Sequence, residues 1–528
     1  MTASVPPAAA VPDLGRRRRL LVLAICCASI LVVAMDISIV NVALPSIGRD
    51  LHAPVSGLQW TVDAYALVLA GFMLLSGSTA DRFGRRRIFQ VGLAVFALGS
   101  LLCSLAPSIG WLIAARALQG AGGTMLNPVA MAIIVTTFPD RAERARAIGM
   151  FSATSGLSIG LGPIVGGALV DAFGWRSIFW INMPIVAATA LCATVFVPES
   201  RAARARRFDP VGQALVIVVL GGVVYAIIES ARLGWTSPVI LGLLAMAVLG
   251  VLGIAGYEPR RADPLLELRL FRSVPFCSAI LTALFALCGF GAFLFATTLY
   301  LQNVRGMSAL AAGLCVLPLG TLIVVLAPLT GRVVAARGPR LPLIVSGTAL
   351  ALGGASSLWL GPATPLPAIL AIYLLIGVSQ GTVNPPITNT AVSGMPASMA
   401  GVAASVASTG RHTGITLGVA ISGTLVGSAY GGTAFIGAAR GVWWLLIGLG
   451  AGVAVLALLS TGRWAAETAG RAAALFEGMD RGVGPHRSNR HAAAPGRVAA
   501  RRTIQVSLYH SPDVPTSTQI LQSRFLVQ

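Results

Sequence analysis

The sequence predicts an all-α integral membrane protein of fourteen spans, and three observations carry that prediction. The chain of 528 residues is 56% hydrophobic and only 11% charged, with a mean hydropathy of +0.82, whereas a soluble domain carries about 25% charged residues. It divides almost end to end into apolar windows of about 20 residues, the length a helix needs to cross the hydrocarbon core. Its arginines gather in every second connection between those windows, the bias expected of cytoplasmic loops.

The windows can be taken in order. The first, Leu20–Leu44, follows Arg16–Arg19 and so begins like a signal peptide, but it is too long and lacks an A-x-A cleavage site. Leu58–Ala80, Ile88–Ala106, Trp111–Ile134, Ile148–Val170 and Ile178–Val197 complete a first set of six. Val211–Ile228 and Val239–Tyr257 follow, and a polar loop closes them off. The last six are Phe276–Gln302, Leu310–Ala335, Leu341–Leu360, Ala368–Thr388, Gly401–Val426 and Val442–Ser460.

Lysine is absent, so all 38 basic residues are arginine. Arg16–Arg19 precede span 1, and Arg82, Arg85, Arg86 and Arg87 follow span 2. Clusters recur after spans 4, 6, 8 and 10, whereas each loop after an odd span holds at most one arginine. The alternation predicts that both termini are cytoplasmic. It also accounts for the net charge of +20 as topology, with no nucleic-acid partner implied. The seven cysteines lie in or beside spans without metal-type spacing and read as packing residues.

Internal repetition sets the architecture. "LNP" in span 4 (Leu126–Pro128) is echoed by "VNP" in span 12 (Val383–Pro385). Gly156 and Gly160 of span 5 are echoed by Gly410 and Gly414 of span 13, and Gly77 and Gly84 after span 2 by Gly331 and Gly338 after span 10. Each pair is eight spans apart, so the chain reads as two six-helix halves, 20–197 and 274–460, with two linker helices and their loops inserted at 198–273. Repeated helical halves that rock about a site near the midplane are how many secondary transporters are built. Residues 1–19 form a basic tail and 461–528 a polar cytoplasmic tail, both expected to be disordered.

Two stretches are more particular than composition requires. "GSTADRFGRRR" (Gly77–Arg87) places Asp81 at a helix C-terminus, where the macrodipole disfavours an anion. Asp81 is therefore expected to answer a nearby arginine, and Gly77, Asp81, Arg82, Gly84 and Arg85 form a candidate gating loop; an ordinary topology-setting turn is the plainer alternative. In "GLSIGLGPIVGG" the glycines Gly156, Gly160 and Gly167 fall near one helix face, with Gly162 and Gly166 on an adjoining one. Such a strip lets another helix approach closely, and Pro163 removes a backbone hydrogen bond, so a bend is expected there. Close packing alone is the competing reading.

These motifs resemble the fourteen-helix drug:proton antiporter branch of the major facilitator superfamily. "DISIVNVALP" is similar to its first-helix motif, "GSTADRFGRRR" to its loop 2–3 motif, "RALQGAGG" (Arg116–Gly123) to its fourth-helix motif and "GLGPIVGG" to its fifth-helix antiporter signature. "WRSIFWINMP", "YAIIESARLGW" and "LYLQNVRGMSALAAGL" extend the match over about Leu20 to Ser460. The resemblance implies proton-driven efflux of lipophilic, often cationic, drugs or antibiotics across the cell membrane, powered by the proton motive force without a cofactor or metal, by a chain expected to act as a monomer.

Ionisable side chains inside a bilayer are costly and are functional candidates by default. Asp36, Asp63 and Arg116 each sit an estimated ~8–14 Å from the outer face at 1.5 Å per residue, a shared depth that permits contact. Burial favours a neutral carboxylate and an adjacent arginine an ionised one, so the opposed effects can poise it for proton exchange; a static structural pair is the alternative. No Asp or Glu occurs between Glu267 and Glu467, so the second half cannot supply a carboxylate. Coupling falls to Asp36, Asp63 and Arg116, with Glu229, Arg411 and His412 as further candidates for coupling or substrate contact. Relatives that export antiseptic dications carry an additional acid in the second half, so its absence here argues against dications. Trp60, Tyr65, Phe293 and Tyr300 are expected to line a pocket for bulky lipophilic ligands.

Rival functions are weaker. A membrane-embedded enzyme needs a clustered nucleophile, base or metal set, and the five histidines are scattered without an acid cluster. A sensor needs an output domain. A nutrient symporter or facilitator on the same fold is nearer, and the Gly-Pro signature of span 5 leans against it.

Overall fold

The computed structural model describes residues 15–201, 209–261, 264–393, 399–427 and 432–474. Those residues are helical almost throughout: α1 (Arg16–Asp50), α2 (Val55–Phe83), α3 (Arg85–Ser104), α4 (Ile109–Thr137), α5 (Arg141–Phe173), α6 (Ser177–Trp180), α7 (Asn182–Phe196), α8 (Pro210–Leu233) and α9 (Pro238–Tyr257). After two 3₁₀ turns come α10 (Val274–Leu299), a π-helical turn (Tyr300–Val304), α11 (Ala309–Cys315), α12 (Leu317–Arg337), α13 (Arg340–Ser357), α14 (Leu366–Val392), α15 (Ala400–Val426), α16 (Gly432–Leu459) and α17 (Arg463–Ala474). Polar residues start several of them. Ser108, Asp140, Asp209, Ser273 and Ser308 each accept a hydrogen bond from a backbone N–H of the first turn, satisfying donors that the helix itself leaves free.

Each of the fourteen apolar windows coincides with helix, the sixth with α6 and α7 together and the tenth with α11 and α12, which part just before Pro318. Among the described residues eleven helices are long and apolar enough to cross a membrane. A twelfth follows if Val55–Met73 and Leu75–Phe83, which meet at 57°, form one span. Helices α13 and α15 are outside that set; α13 opens on Arg340, and α15 carries Arg411, His412 and a run of serine, threonine and glycine.

Packing follows the repeat. Helix α1 lies against α4, α5 and α7, α4 also against α2 and α3; in the second group α10 lies against α14, α15 and α16, and α13 against α14 and α16. The groups meet along two seams, α5 with α11 and α12, and α2 with α15. The inserted helices pair, and α8 rests on both α2 and α15. Their burial separates centre from periphery: 78% of the most apolar stretch of the segment containing α10 is buried inside the protein, against 17% for that containing α9.

Each tail is helical where it adjoins the bundle, although disorder was expected there. Arg16–Arg19 belong to α1, where Arg19 donates to Glu143 at 2.9 Å and Arg18 to the Phe196 carbonyl at 3.1 Å. Residues 463–474 form α17 because Ala465, Ala469 and Ala472 make an apolar stripe at helical spacing. Thr468 of that helix accepts a hydrogen bond from the Val274 N–H at 3.1 Å. The expectations for residues 1–14 and 475–528 lie outside the described residues.

Candidate functional site

Four helices converge on Asp36. Its Oδ2 accepts from Nη1 of Arg116 (α4) at 2.5 Å, and its Oδ1 from Gln119 (α4) at 2.9 Å and Asn182 (α7) at 3.3 Å. Arg116 and Gln119 are three residues apart and so share a helix face, which lets Nη1 of Arg116 also donate to Oε1 of Gln119 at 2.7 Å. The Arg116 Nε–H donates to the Thr61 carbonyl of α2 at 3.0 Å, tying in the fourth helix. Its guanidinium lies 4.3 Å from the Tyr65 ring centroid and 5.9 Å from that of Phe179, a favourable setting for a desolvated cation. Asn182 also donates to Ser100, which donates to the Phe179 carbonyl. Asp36, Arg116, Gln119 and Asn182 are all at most 1% exposed. With so little water present the pair must be satisfied by protein groups, and it is.

Asp63 stands apart, although its depth suggested contact with Arg116. It is 0% exposed and neither carboxyl oxygen has a hydrogen-bond partner. It lies one turn along α2 from Gln59, whose Nε2 donates to the Ala420 carbonyl of α15 at 2.6 Å, so its face of α2 is the one directed at α15. On α15, Nδ1 of His412 is buried without a partner, and Arg411 forms no hydrogen bond or ion pair among the described residues. Glu229, a further candidate from the sequence, is 8% exposed and accepts from Trp60 Nε1 at 3.1 Å and Arg232 Nε at 3.0 Å.

The second group has no counterpart to the ion pair. The offset from Leu126 to Val383, 257 residues, carries Arg116 of α4 onto Tyr373 of α14, which meets Phe293 of α10. Those two rings pack edge to face with centroids 5.0 Å apart and are at most 1% exposed. One half thus holds a charged contact where the other holds an aromatic one. The expected aromatic pocket is corrected by this. Phe293, Tyr300 and Tyr65 are buried in packing, and Trp60 meets Tyr225 and Glu229 of α8. A cavity of about 560 Å³ lies beside the α1–α2 turn, lined in part by Arg49, His52, Gln302 and Asn303.

The 77–87 stretch is held by its own residues and by the start of the 198–273 segment, with no bond to the second half among the described residues. Arg85 donates to Oδ1 of Asp81 at 2.9 Å through Nη2 and at 3.1 Å through Nε. Asp81 thus answers an arginine, as expected, but one four residues on. Gly84 takes φ of +112°, and a Cβ there would lie 2.6 Å from a Glu199 oxygen, so the turn requires glycine. Glu199 accepts from the Arg86 N–H at 3.1 Å, and the Arg85 N–H donates to the Ser200 carbonyl at 2.9 Å. Arg82 is exposed, and nothing lies within 4 Å of where Gly77 would carry a Cβ.

The two glycine faces of α5 have different partners. Gly162 and Gly166 press on Ser38 and Ile39 of α1, in the same half. Gly160 crosses Gly320 of α12, where an added Cβ would lie 2.9 Å from its Cα, and Gly167 abuts Ala309 and Leu310 of α11. Gly156 is looser, with Ile323 as its neighbour at 3.6 Å. Pro163 lies inside a single continuous helix, and its carbonyl oxygen would lie 2.2 Å from a Cβ on Gly313. Asp171, at the end of α5, accepts from the Ala309 and Leu310 N–H groups at 3.1 and 2.9 Å, capping α11 from the other half.

Sequence reasoning missed Gln119, Asn182, Ser100 and Glu199. The first two stand in quoted motifs, "RALQGAGG" and "WRSIFWINMP", as polar residues in apolar windows, which was the available signal.

Helices in two repeated groups, joined across a glycine-lined and a polar seam, with a buried ion pair in the first group, have the architecture of a multi-pass membrane transporter. Residues 26–419 match the family model described as Major Facilitator Superfamily, and the chain belongs to that family. Among its similar relatives is the multidrug resistance protein Stp of Mycobacterium tuberculosis, 37% identical over 410 residues, covering 78% of this chain and 76% of that protein. The tetracenomycin C resistance and export protein of Streptomyces glaucescens is 36% identical, covering 76% and 75%. The multidrug efflux pump LfrA of Mycolicibacterium smegmatis is 33% identical, covering 77% and 81%. A bacterial homologue of the human lysosomal transporter Spinster, solved inward-facing and occupied, shares the fold with a TM-score of 0.61 at 16% identity, over 86% of this chain and 98% of that one.

Proposed function

We propose that this protein is a fourteen-span exporter, both termini cytoplasmic, that expels lipophilic drugs or antibiotics from the cell in exchange for protons. The observation that carries the reading is the contrast between two buried carboxylates: Asp36 is held by three donors, and Asp63 by none. Burying an ionised carboxylate without a partner is costly, so in this reading Asp63 is the group that carries the exchanged proton and Asp36 the one that Arg116 holds. Arg116 releases no proton itself; it sets the charge that Asp36 answers. Because it is also bonded to the Thr61 carbonyl, a change at Asp36 reaches α2 two residues from Asp63. The relatives, named for multidrug resistance, tetracenomycin C export and multidrug efflux, support drugs and antibiotics as cargo. The absence of acids from 268 to 466 favours neutral or singly charged compounds. No cofactor is required beyond the proton gradient, and one chain contains both halves, so a monomer suffices.

The test is flux in proteoliposomes under an imposed pH gradient, with a panel of neutral and monocationic antibiotics. Gradient-driven substrate movement against proton movement is expected. Movement of substrate and proton in the same direction would establish a symporter instead, and gradient-independent flux a facilitator.

A further inference from the structure

The two seams between the halves differ in chemistry. Along α5 and α11–α12 the contact is glycine against backbone, with Gly160 on Gly320, Gly167 on Ala309–Leu310 and Gly313 on Pro163. The titratable side chain at those crossings is Asp171, whose carboxylate is already bonded to the Ala309 and Leu310 N–H groups. Along α2 and α15 the contact is polar. Gln59 donates to Ala420, and Gly423 leaves the room its amide occupies, since a Cβ there would lie 2.3 Å from Gln59 Cδ.

Resting on the fourteen-span reading proposed above, α2 and α15 are spans 2 and 13 and run antiparallel. Stepping one turn from Gln59 along α2 reaches Asp63; stepping one and two turns back from Ala420 along α15 reaches Thr416 and His412. Asp63 therefore stands opposite Thr416, one turn, or about 6 Å, from His412. Both Asp63 oxygens and His412 Nδ1 are buried and unbonded, and Thr416 spends its hydroxyl on the His412 carbonyl at 3.1 Å.

With its N–H on Nε2, a neutral imidazole offers only an acceptor at Nδ1, and an ionised carboxylate likewise only accepts. These two groups can bond only with a proton between them. We infer that His412 is the positioning partner of Asp63: when the seam shortens by one turn, the Asp63 O–H donates to His412 Nδ1, so the α2–α15 seam closes only with the proton aboard. Loss of that proton to the far side leaves two acceptors facing each other and releases the seam.

The other charged and titratable groups around this seam do not substitute for His412. Arg411 is already a cation beside it, and Tyr65 on α2 packs under Arg116. On α8, Glu229 is occupied by Trp60 and Arg232. Helix α10 offers Cys288, next to Gly414 and Gly418, and Cys277 in its first turn, which donates to the Phe271 carbonyl; α14 offers only Tyr373 and α16 only Arg440 among such residues.

The experiment compares full-length wild type with His412→Leu, which has no acceptor, and His412→Asn, whose amide oxygen stands near the Nδ1 position. Efflux is measured in proteoliposomes from pH 5 to 8 with a drug the wild type exports. Wild-type flux without gradient dependence would refute the exporter reading itself. Given coupled wild-type flux, His412→Leu should turn over about tenfold more slowly, the loss of one buried hydrogen bond, with a displaced pH profile and unchanged substrate affinity. His412→Asn should restore most of both. His412→Phe replaces the Leu variant if that protein fails to reach the membrane. Wild-type pH dependence in the acceptor-free variant, or equal impairment in Leu and Asn variants at unchanged pH profile, would overturn the inference.

Discussion

Replacing Asp36 with asparagine removes one charge and almost no volume. In the Asp36→Asn variant the amide oxygen can still accept from Gln119 and Asn182, both of which use Oδ1. The amide nitrogen then takes the place of Oδ2 and meets Nη1 of Arg116, donor against donor. Arg116, 1% exposed, is left as a buried cation without a counterion. Removing one member of a buried pair typically costs about 3–5 kcal/mol, a large part of the about 5–15 kcal/mol that holds a folded domain together. Detergent-solubilised Asp36→Asn should unfold several degrees below wild type and show no proton-driven efflux in liposomes. The double variant Asp36→Asn/Arg116→Gln removes the stranded cation as well. It should recover most of the stability and none of the transport, since the pair is coupled. Full gradient-driven efflux by Asp36→Asn would refute the coupling role. A double variant no more stable than Asp36→Asn would show that Arg116 does not depend on Asp36 for its burial.

Other substitutions separate folding from transport. Gly160→Leu drives a side chain into Gly320 across the halves, so it should abolish efflux and let protons leak without substrate, read as pH collapse in vesicles. Gly166→Leu meets Ile39 within one half and should lower thermal stability by roughly 1–3 kcal/mol, the usual cost of overpacking, without a leak. Glu199→Gln weakens the anchor of the 77–87 loop and should cost about 1 kcal/mol, seen as a lower melting temperature with efflux largely kept. Trp60→Phe deletes the donor to Glu229 and should raise proteolytic cutting near Arg232 if α8 is held to α2 by that bond.

The helical plan was legible because hydropathy and arginine placement act over long stretches and tolerate local error. Even the facing of α5 could be read from helical period alone: Gly160 and Gly167 on one side, Gly162 and Gly166 on another. What could not be read was which helix each side meets, because period gives direction and not partner. Asp36 and Arg116 were legible as a pair since two charges at one depth must neutralise each other in an apolar medium. Asp63, at the same depth, is rotated onto a different neighbour, and only the packing of α2 against α15 reveals that. Gln119 and Asn182 were hidden by being neutral: their value appears only once a carboxylate is found within reach. The first turn of α1 and the whole of α17 were misjudged for a similar reason, composition being a poor guide where a few alanines suffice for a packed face.

The inserted hairpin has a mechanical consequence. Helix α8 is pinned to α2 near both ends, by Gln213 to the Gly71 carbonyl and by Glu229 to Trp60, whereas Thr424 of α15 reaches it through a single bond to the Ile227 carbonyl. It is therefore cargo of the first half, and any stroke at this seam slides α15 across its flank. Helix α9, most of its surface facing outward, must be carried through the surrounding lipid on every cycle. The transporter thus works against membrane viscosity with an outboard keel, so its cycling speed should follow the fluidity of the bilayer more steeply than that of a transporter without the hairpin, a comparison that liposomes of graded acyl-chain order would make directly.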